Sequence, residues 1–89
     1  MTEKRIKELK EQFKGKGRIF TYGLKYLNDT KFFINKQFDG KNWSVVTTTT
    51  GKSESVAGLF RARKTAVEFG IALGLKEIPA PVIEPTFNV

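Results

Sequence analysis

Residues 31–73 read KFFINKQFDGKNWSVVTTTTGKSESVAGLFRARKTAVEFGIAL, and this stretch decides the fold. From Lys31 to Phe38 the residues alternate as in a strand. Phe32, Ile34 and Phe38 share one face, interrupted by Lys36; Lys31, Phe33, Asn35 and Gln37 share the other. Asp39-Gly40 predicts a two-residue hairpin turn. Trp43 to Thr50 is rich in Val and Thr, as strands prefer. Gly51-Lys52 predicts a second hairpin turn, and Ser53 to Phe60 a further strand that contains Ala57 and Gly58. From Arg61 to about Leu75 the period changes to that of a helix. Ala62, Ala66, Phe69, Gly70 and Leu73 line one face, Val67 and Ile71 widen it, and Gly74 is the stop.

Working outward, Arg18 to Leu27 alternates as the first strand of the sheet, and Asn28-Asp29 signals the turn after it. Before it, Thr2 to Lys14 reads as a short helix. Thr2 is its N-cap, and Ile6, Leu9 and Phe13 form one narrow apolar stripe. Lys4, Arg5, Lys7, Lys10 and Lys14 occupy much of the remaining surface. They suit either a solvated face or a helix laid along phosphates. Gly15-Lys16-Gly17 ends the helix. Beyond Leu75, the prolines at 79, 81 and 85 rule out a helix and predict an extended tail. Its Val82, Ile83, Phe87 and Val89 are apolar enough to pack on this subunit or on a partner.

The expected fold is α+β: an N-terminal helix, an antiparallel four-stranded sheet, one packing helix and a Pro-rich tail, in the order αββββα. The expected organisation is a basic helix over residues 1–16, a sheet-plus-helix domain over 17–76 and a tail over 77–89.

Eighty-nine residues make one domain with a modest core. Cysteine and histidine are both absent. That removes disulfides, thiolate metal sites, the cysteine nucleophile and the commonest general base. The carboxylates are scattered among lysines or in turns, unlike the cluster a two-metal nuclease needs. The expectation is therefore a protein that is not an enzyme and carries no cofactor or metal. Gly51-Lys52-Ser53 matches the end of a phosphate-binding loop, but Val46 stands where that motif needs its first glycine. No apolar run approaches the length of a membrane span, and the N-terminus lacks the apolar core of a signal peptide. An intracellular location is expected, so the sequons at Asn28 and Asn42 carry no weight.

Charge is the informative quantity. The chain carries +7 overall, unevenly placed. Residues 1–64 hold 15 Lys/Arg against 6 Asp/Glu, and residues 65–89 hold 1 against 3. A basic body suggests a polyanionic partner, although the same charge also suits solubility alone. Lys25, Lys31, Phe33, Asn35, Lys36, Lys41 and Trp43 lie on or beside the predicted sheet, and Arg61, Arg63 and Lys64 open the helix. Basic residues interleaved with aromatics bind single strands, cations tracking the backbone and rings stacking bases. Phe33, among polar neighbours, is the better stacking candidate; Trp43 shares a face with Val45 and suits a core position equally well.

Lys31-Phe32-Phe33-Ile34-Asn35 opening a hairpin, and Arg63-Lys64-Thr65-Ala66-Val67-Glu68-Phe69 in the helix, resemble the purine-rich-element-binding (PUR) repeat. More broadly, the order over residues 18–75 is similar to whirly-type single-stranded nucleic-acid-binding folds. The resemblance implies a curved antiparallel sheet crossed by a helix, assembled as a homodimer, that binds single-stranded DNA or RNA on the sheet. It implies base and backbone contacts for Lys31, Phe33 and Asn35. A helix, three strands and a helix is also the order of the double-stranded-RNA-binding domain. Phe60-Arg61-Ala62-Arg63-Lys64 is similar to the helix entry of phage-type integrase arm-binding domains. The expected function is non-catalytic nucleic-acid binding, single strands favoured. Two alternatives stand: a double-stranded nucleic-acid binder, and a small protein-interaction module or inhibitor acting on a protein partner.

Overall fold

Three strands keep the alternation read from the sequence. In the computed structural model, which describes residues 3–20, 30–37, 39–50 and 55–80, β2 (Lys31–Lys36), β3 (Trp43–Thr48) and β4 (Ser55–Phe60) form an antiparallel meander. Before them come α1 (Glu3–Gln12) and β1 (Gly17–Ile19); after them come α2 (Arg63–Ala72) and β5 (Lys76–Glu77). The expected first strand beyond Phe20, the turns at Asn28-Asp29 and Gly51-Lys52, the cap at Thr2 and the tail from residue 81 lie outside the described residues.

The sheet is five-stranded and mixed, in the order β1-β4-β3-β2-β5, rather than antiparallel and four-stranded. β1 pairs with β4 antiparallel, Gly17 opposite Phe60. β5 pairs with β2 in parallel, Lys31 opposite Lys76 and Phe32 opposite Glu77. Gly74, at φ 82°, reverses the chain after α2 and returns it along the free edge of β2. The Ile78 N–H then donates to the Phe32 carbonyl at 2.8 Å. Pro79 follows and has no N–H to continue such bonding. The start of the tail thus pairs with the sheet of this subunit.

The hairpin between β2 and β3 is also wider than a two-residue turn. The Gln37 N–H donates to the Asn42 carbonyl at 2.9 Å, and the loop closes beyond that pair. The Asp39 carboxylate explains the difference. It accepts the N–H of Lys41 at 2.8 Å, the N–H of Asn42 at 3.1 Å and the Asn42 side-chain amide at 2.8 Å. Gly40, at φ 69°, supplies the left-handed step. In β4, Ala57 and Gly58 together oppose Val45, a bulge that lets a strand containing two small residues stay in register.

These three hydrogen bonds hold the Asp39 carboxyl below its ordinary value of 3.8, the Lys41 N–H contributing most. Because the folded value is depressed, the stabilisation is present above pH 3.8 and is lost as the pH falls through the folded value. Asp39→Ala is therefore expected to lower the urea midpoint at neutral pH. The gap from the parent should close as the pH drops below the ordinary carboxylate range. A gap that persists unchanged into acid would refute this role.

Both helices pack on one face of the sheet. The core joins Leu9 and Phe13 of the N-terminal segment, Phe32 and Ile34 of β2, Val45 of β3, Phe60 of β4, and Ala66, Phe69 and Leu73 of the α2 segment. α1 is therefore part of the core as well as a basic surface. Its Arg5 Nη2 donates to the Ala72 carbonyl at 2.6 Å. α2 has no basic residue in its own last turn, so Arg5 brings positive charge to the negative end of that helix. Ala62, expected on the buried face, is exposed and precedes the helix as its N-cap. The middle of the opposite face is buried too: Phe33, Ser44, Val46 and Thr48 are all buried.

Candidate nucleic-acid interface

Strand pairing gathers cations at one end of the sheet. Gly17, Phe60, Trp43 and Lys36 form one row across four strands. Just beyond this row lie Lys16, Arg61 and the hairpin that carries Lys41 and Asn42. One residue inside it, Arg18 stands opposite Leu59. Gly15, Gly17, Arg18, Asn42, Leu59 and Arg61 line an open cleft of about 420 Å³. Gly15, at φ 78°, turns the chain from α1 into β1 along one wall. A side chain at Gly17 would strike the Leu59 carbonyl and the Phe60 ring, so this glycine permits the β1–β4 pairing that forms the cleft.

Arg18 and Arg61 are both exposed. Among the described residues, neither forms an ion pair with a carboxylate. The Arg18 guanidinium lies 5.4 Å from the centre of the Phe20 ring. Lys36 Nζ lies 5.6 Å from the centre of the Trp43 ring, and Lys16 Nζ 5.9 Å from that of Phe13. At such distances the quadrupole of the ring attracts the cation. The cleft thus offers two guanidinium groups, with five N–H donors each, beside the Asn42 amide. Its chemistry suits an anion with several oxygens.

Of the ten residues singled out from the sequence, Arg61 lines the cleft and Lys41 stands beside Asn42 in the hairpin, while Lys36 and Trp43 pair on the helix-covered face of the sheet, opposite to Arg18. Lys31 is exposed at the far end of β2, about 17 Å away at strand spacing. Arg63 is drawn to β5, where its Nη2 lies 3.5 Å from Glu77 Oε2. Lys64, next to it on α2, is exposed. Asn35 is half-buried, and its carbonyl accepts the Ser44 hydroxyl at 3.0 Å. Phe33 is only 1% exposed, so its ring offers no face to a base. Lys25 lies outside the described residues. Arg18 and Asn42, which complete the cleft, were not among the ten. Each stands beside a glycine-containing turn, but nothing local links them to Arg61.

Among the described residues, no cluster of three or more Asp, Glu, His or Cys could hold a metal ion, and no helix is long and apolar enough to cross a membrane. No protein-family model, no curated protein sequence and no solved structure matches the chain.

Proposed function

We propose that this protein is a non-catalytic nucleic-acid-binding protein that holds single-stranded DNA or RNA by its phosphates, at the end of the sheet where β1 begins and β4 ends. The observation that carries this reading is the cleft lined by Arg18 of β1 and Arg61 just after β4, two exposed guanidinium groups without a carboxylate partner among the described residues. Lys16 and Lys41 stand next to lining residues in the chain, and the only carboxylate in the adjoining hairpin, Asp39, is engaged by backbone and amide N–H groups. Arginine forks match phosphate oxygens two at a time, which favours a phosphate over a simple counter-ion. Two guanidinium groups in an open cleft, rather than cations spread over a flat face, suit a strand able to bend into it.

The test is fluorescence anisotropy with labelled single strands and duplexes of equal length across a salt series. The parent protein is expected to bind single strands more tightly. Its log–log salt slope should be about −0.7 for each phosphate contacted. Arg18→Ala with Arg61→Ala should weaken binding at least about tenfold and flatten the slope by about 0.7 per arginine removed. Both side chains are exposed, so the variant should keep its fold by circular dichroism. No binding by the parent at low salt, or an unaltered double variant, would overturn the proposal. Tighter duplex binding would overturn its single-strand part.

A further inference from the structure

The Asn42 side chain reaches the cleft with its amide already oriented. Its Nδ2 donates to Asp39 Oδ2 at 2.8 Å, and Asp39 does not line the cleft. Asp39 is itself pinned, because its Oδ1 accepts the N–H of Lys41 at 2.8 Å and that of Asn42 at 3.1 Å. An ionised carboxylate accepts and cannot donate, so the amide must turn its nitrogen to Asp39. The Asn42 backbone is engaged as well: its N–H goes to Asp39, and its carbonyl accepts the Gln37 N–H at 2.9 Å. That leaves the Asn42 Oδ1, held on the side of the amide away from the Asp39 contact. Among the described residues it accepts no hydrogen bond.

This oxygen differs from the rest of the cleft. Arg18 and Arg61 are donors only, and Gly15, Gly17 and Leu59 have no polar side chain, so Asn42 supplies the one side-chain acceptor among the described lining residues. A phosphodiester drawn in by the arginines carries no proton for it. The sugar beside that phosphate does, if the sugar is ribose. Its 2′-hydroxyl is both donor and acceptor, and it sits on the carbon next to the one that bears the 3′-phosphate. We infer that, granted the nucleic-acid reading above, the cleft selects RNA over DNA: Arg18 and Arg61 hold a phosphate, and Asn42 Oδ1 accepts the 2′-hydroxyl of the ribose joined to it. Asp39 is a positioning residue that keeps the oxygen, rather than the N–H groups, of the amide available. With DNA the oxygen meets no donor and must keep its water. Asn42 is only half-buried, so the discrimination is that of one neutral hydrogen bond, about two- to tenfold in affinity.

The experiment measures anisotropy with labelled oligouridylate and with its 2′-deoxy and 2′-fluoro counterparts of equal length. All three carry uracil, so base contacts cancel. The 2′-fluoro strand keeps a ribose-like ring pucker but cannot donate. The ribose strand is expected to bind about three- to tenfold more tightly than either of the others. Asn42→Ala should bring that ratio to about one. Asp39→Ala leaves Asn42 in place but frees its amide to rotate, and should lower the ratio too. Equal binding of the ribose and deoxyribose strands overturns the inference while leaving the nucleic-acid reading intact. So does a 2′-fluoro strand that binds as tightly as the ribose strand, or a ratio that survives both substitutions. Failure of every strand to bind the parent protein overturns both.

Discussion

Phe69→Ala is expected to destabilise the protein by about 3–5 kcal/mol, the range for emptying a buried aromatic site. Phe69 is fully buried and meets the Phe60 ring at a centroid distance of 5.0 Å and the Phe13 ring at 5.3 Å, edge to face. Phe13 and Phe60 close the triangle at 5.7 Å. These three rings join the turn after α1, β4 and α2, so the cavity would loosen three parts of the fold at once. A domain of this size has about 4–13 kcal/mol in total, so the variant should lose about a quarter of it or more. Urea denaturation gives the value directly; a loss below about 1 kcal/mol would show that the triangle is not packed as described. Phe13→Ala in the same background should couple to it by about 0.5–1.5 kcal/mol beyond additivity. Full additivity would mean that Phe13 and Phe69 do not share one packed cluster.

Gly70→Val is expected to cost about 3 kcal/mol, and Gly70→Ala to destabilise despite the better helix propensity of alanine. Propensity alone would make Gly70→Ala stabilising by about 1 kcal/mol. However, a Cβ at Gly70 would sit against three ring carbons of Phe32, well inside van der Waals contact. Phe32 is fully buried and cannot swing out to water. Overpacking of this kind costs about 1–3 kcal/mol and outweighs the propensity gain. Valine adds two more carbons and a stiff χ1. Thermal melts of both variants decide the matter, since 1 kcal/mol shifts Tm by about 4–8 °C in a domain this small. A Gly70→Ala protein that melted higher than the parent would refute the close seating of α2 on β2.

What was legible in the sequence is what local chemistry specifies. Alternation placed β2, β3 and β4, and the apolar period with Gly74 placed α2 to within a few residues at each end. The loop at Asp39-Gly40 was located but not sized, because its width depends on where the Asp39 carboxylate finds its N–H partners. β5 was not legible as a strand. Two residues carry no period, and their pairing comes from the free edge of β2, more than 40 residues earlier in the chain. Phe33 illustrates a different limit. Alternation assigned it correctly to the face away from Phe32, but alternation does not say whether a face is covered, and this one is. The site was half legible. Lysines and arginines near turns were visible, yet the partnership of Arg18 with Arg61 exists only because Gly17 pairs with Phe60.

That pairing also sets a timetable. During synthesis, Gly17 emerges 43 residues before Phe60, the residue it sits opposite, and α1 has no Phe60 or Phe69 to dock on until later still. A ten-residue helix is marginal in water without such a partner. The N-terminal segment must therefore wait while the meander forms through shorter, cheaper loop closures. Closing β1 on β4 is the long-range step, and it is the same step that creates the cleft. A nascent or partly unfolded chain would thus lack the site altogether. A polyanion held between Arg18 and Arg61 would bridge an early part of the chain to a late one, adding about 2.7 kcal/mol to stability at a hundred times its Kd. Occupancy and completion of the fold are in this sense one equilibrium.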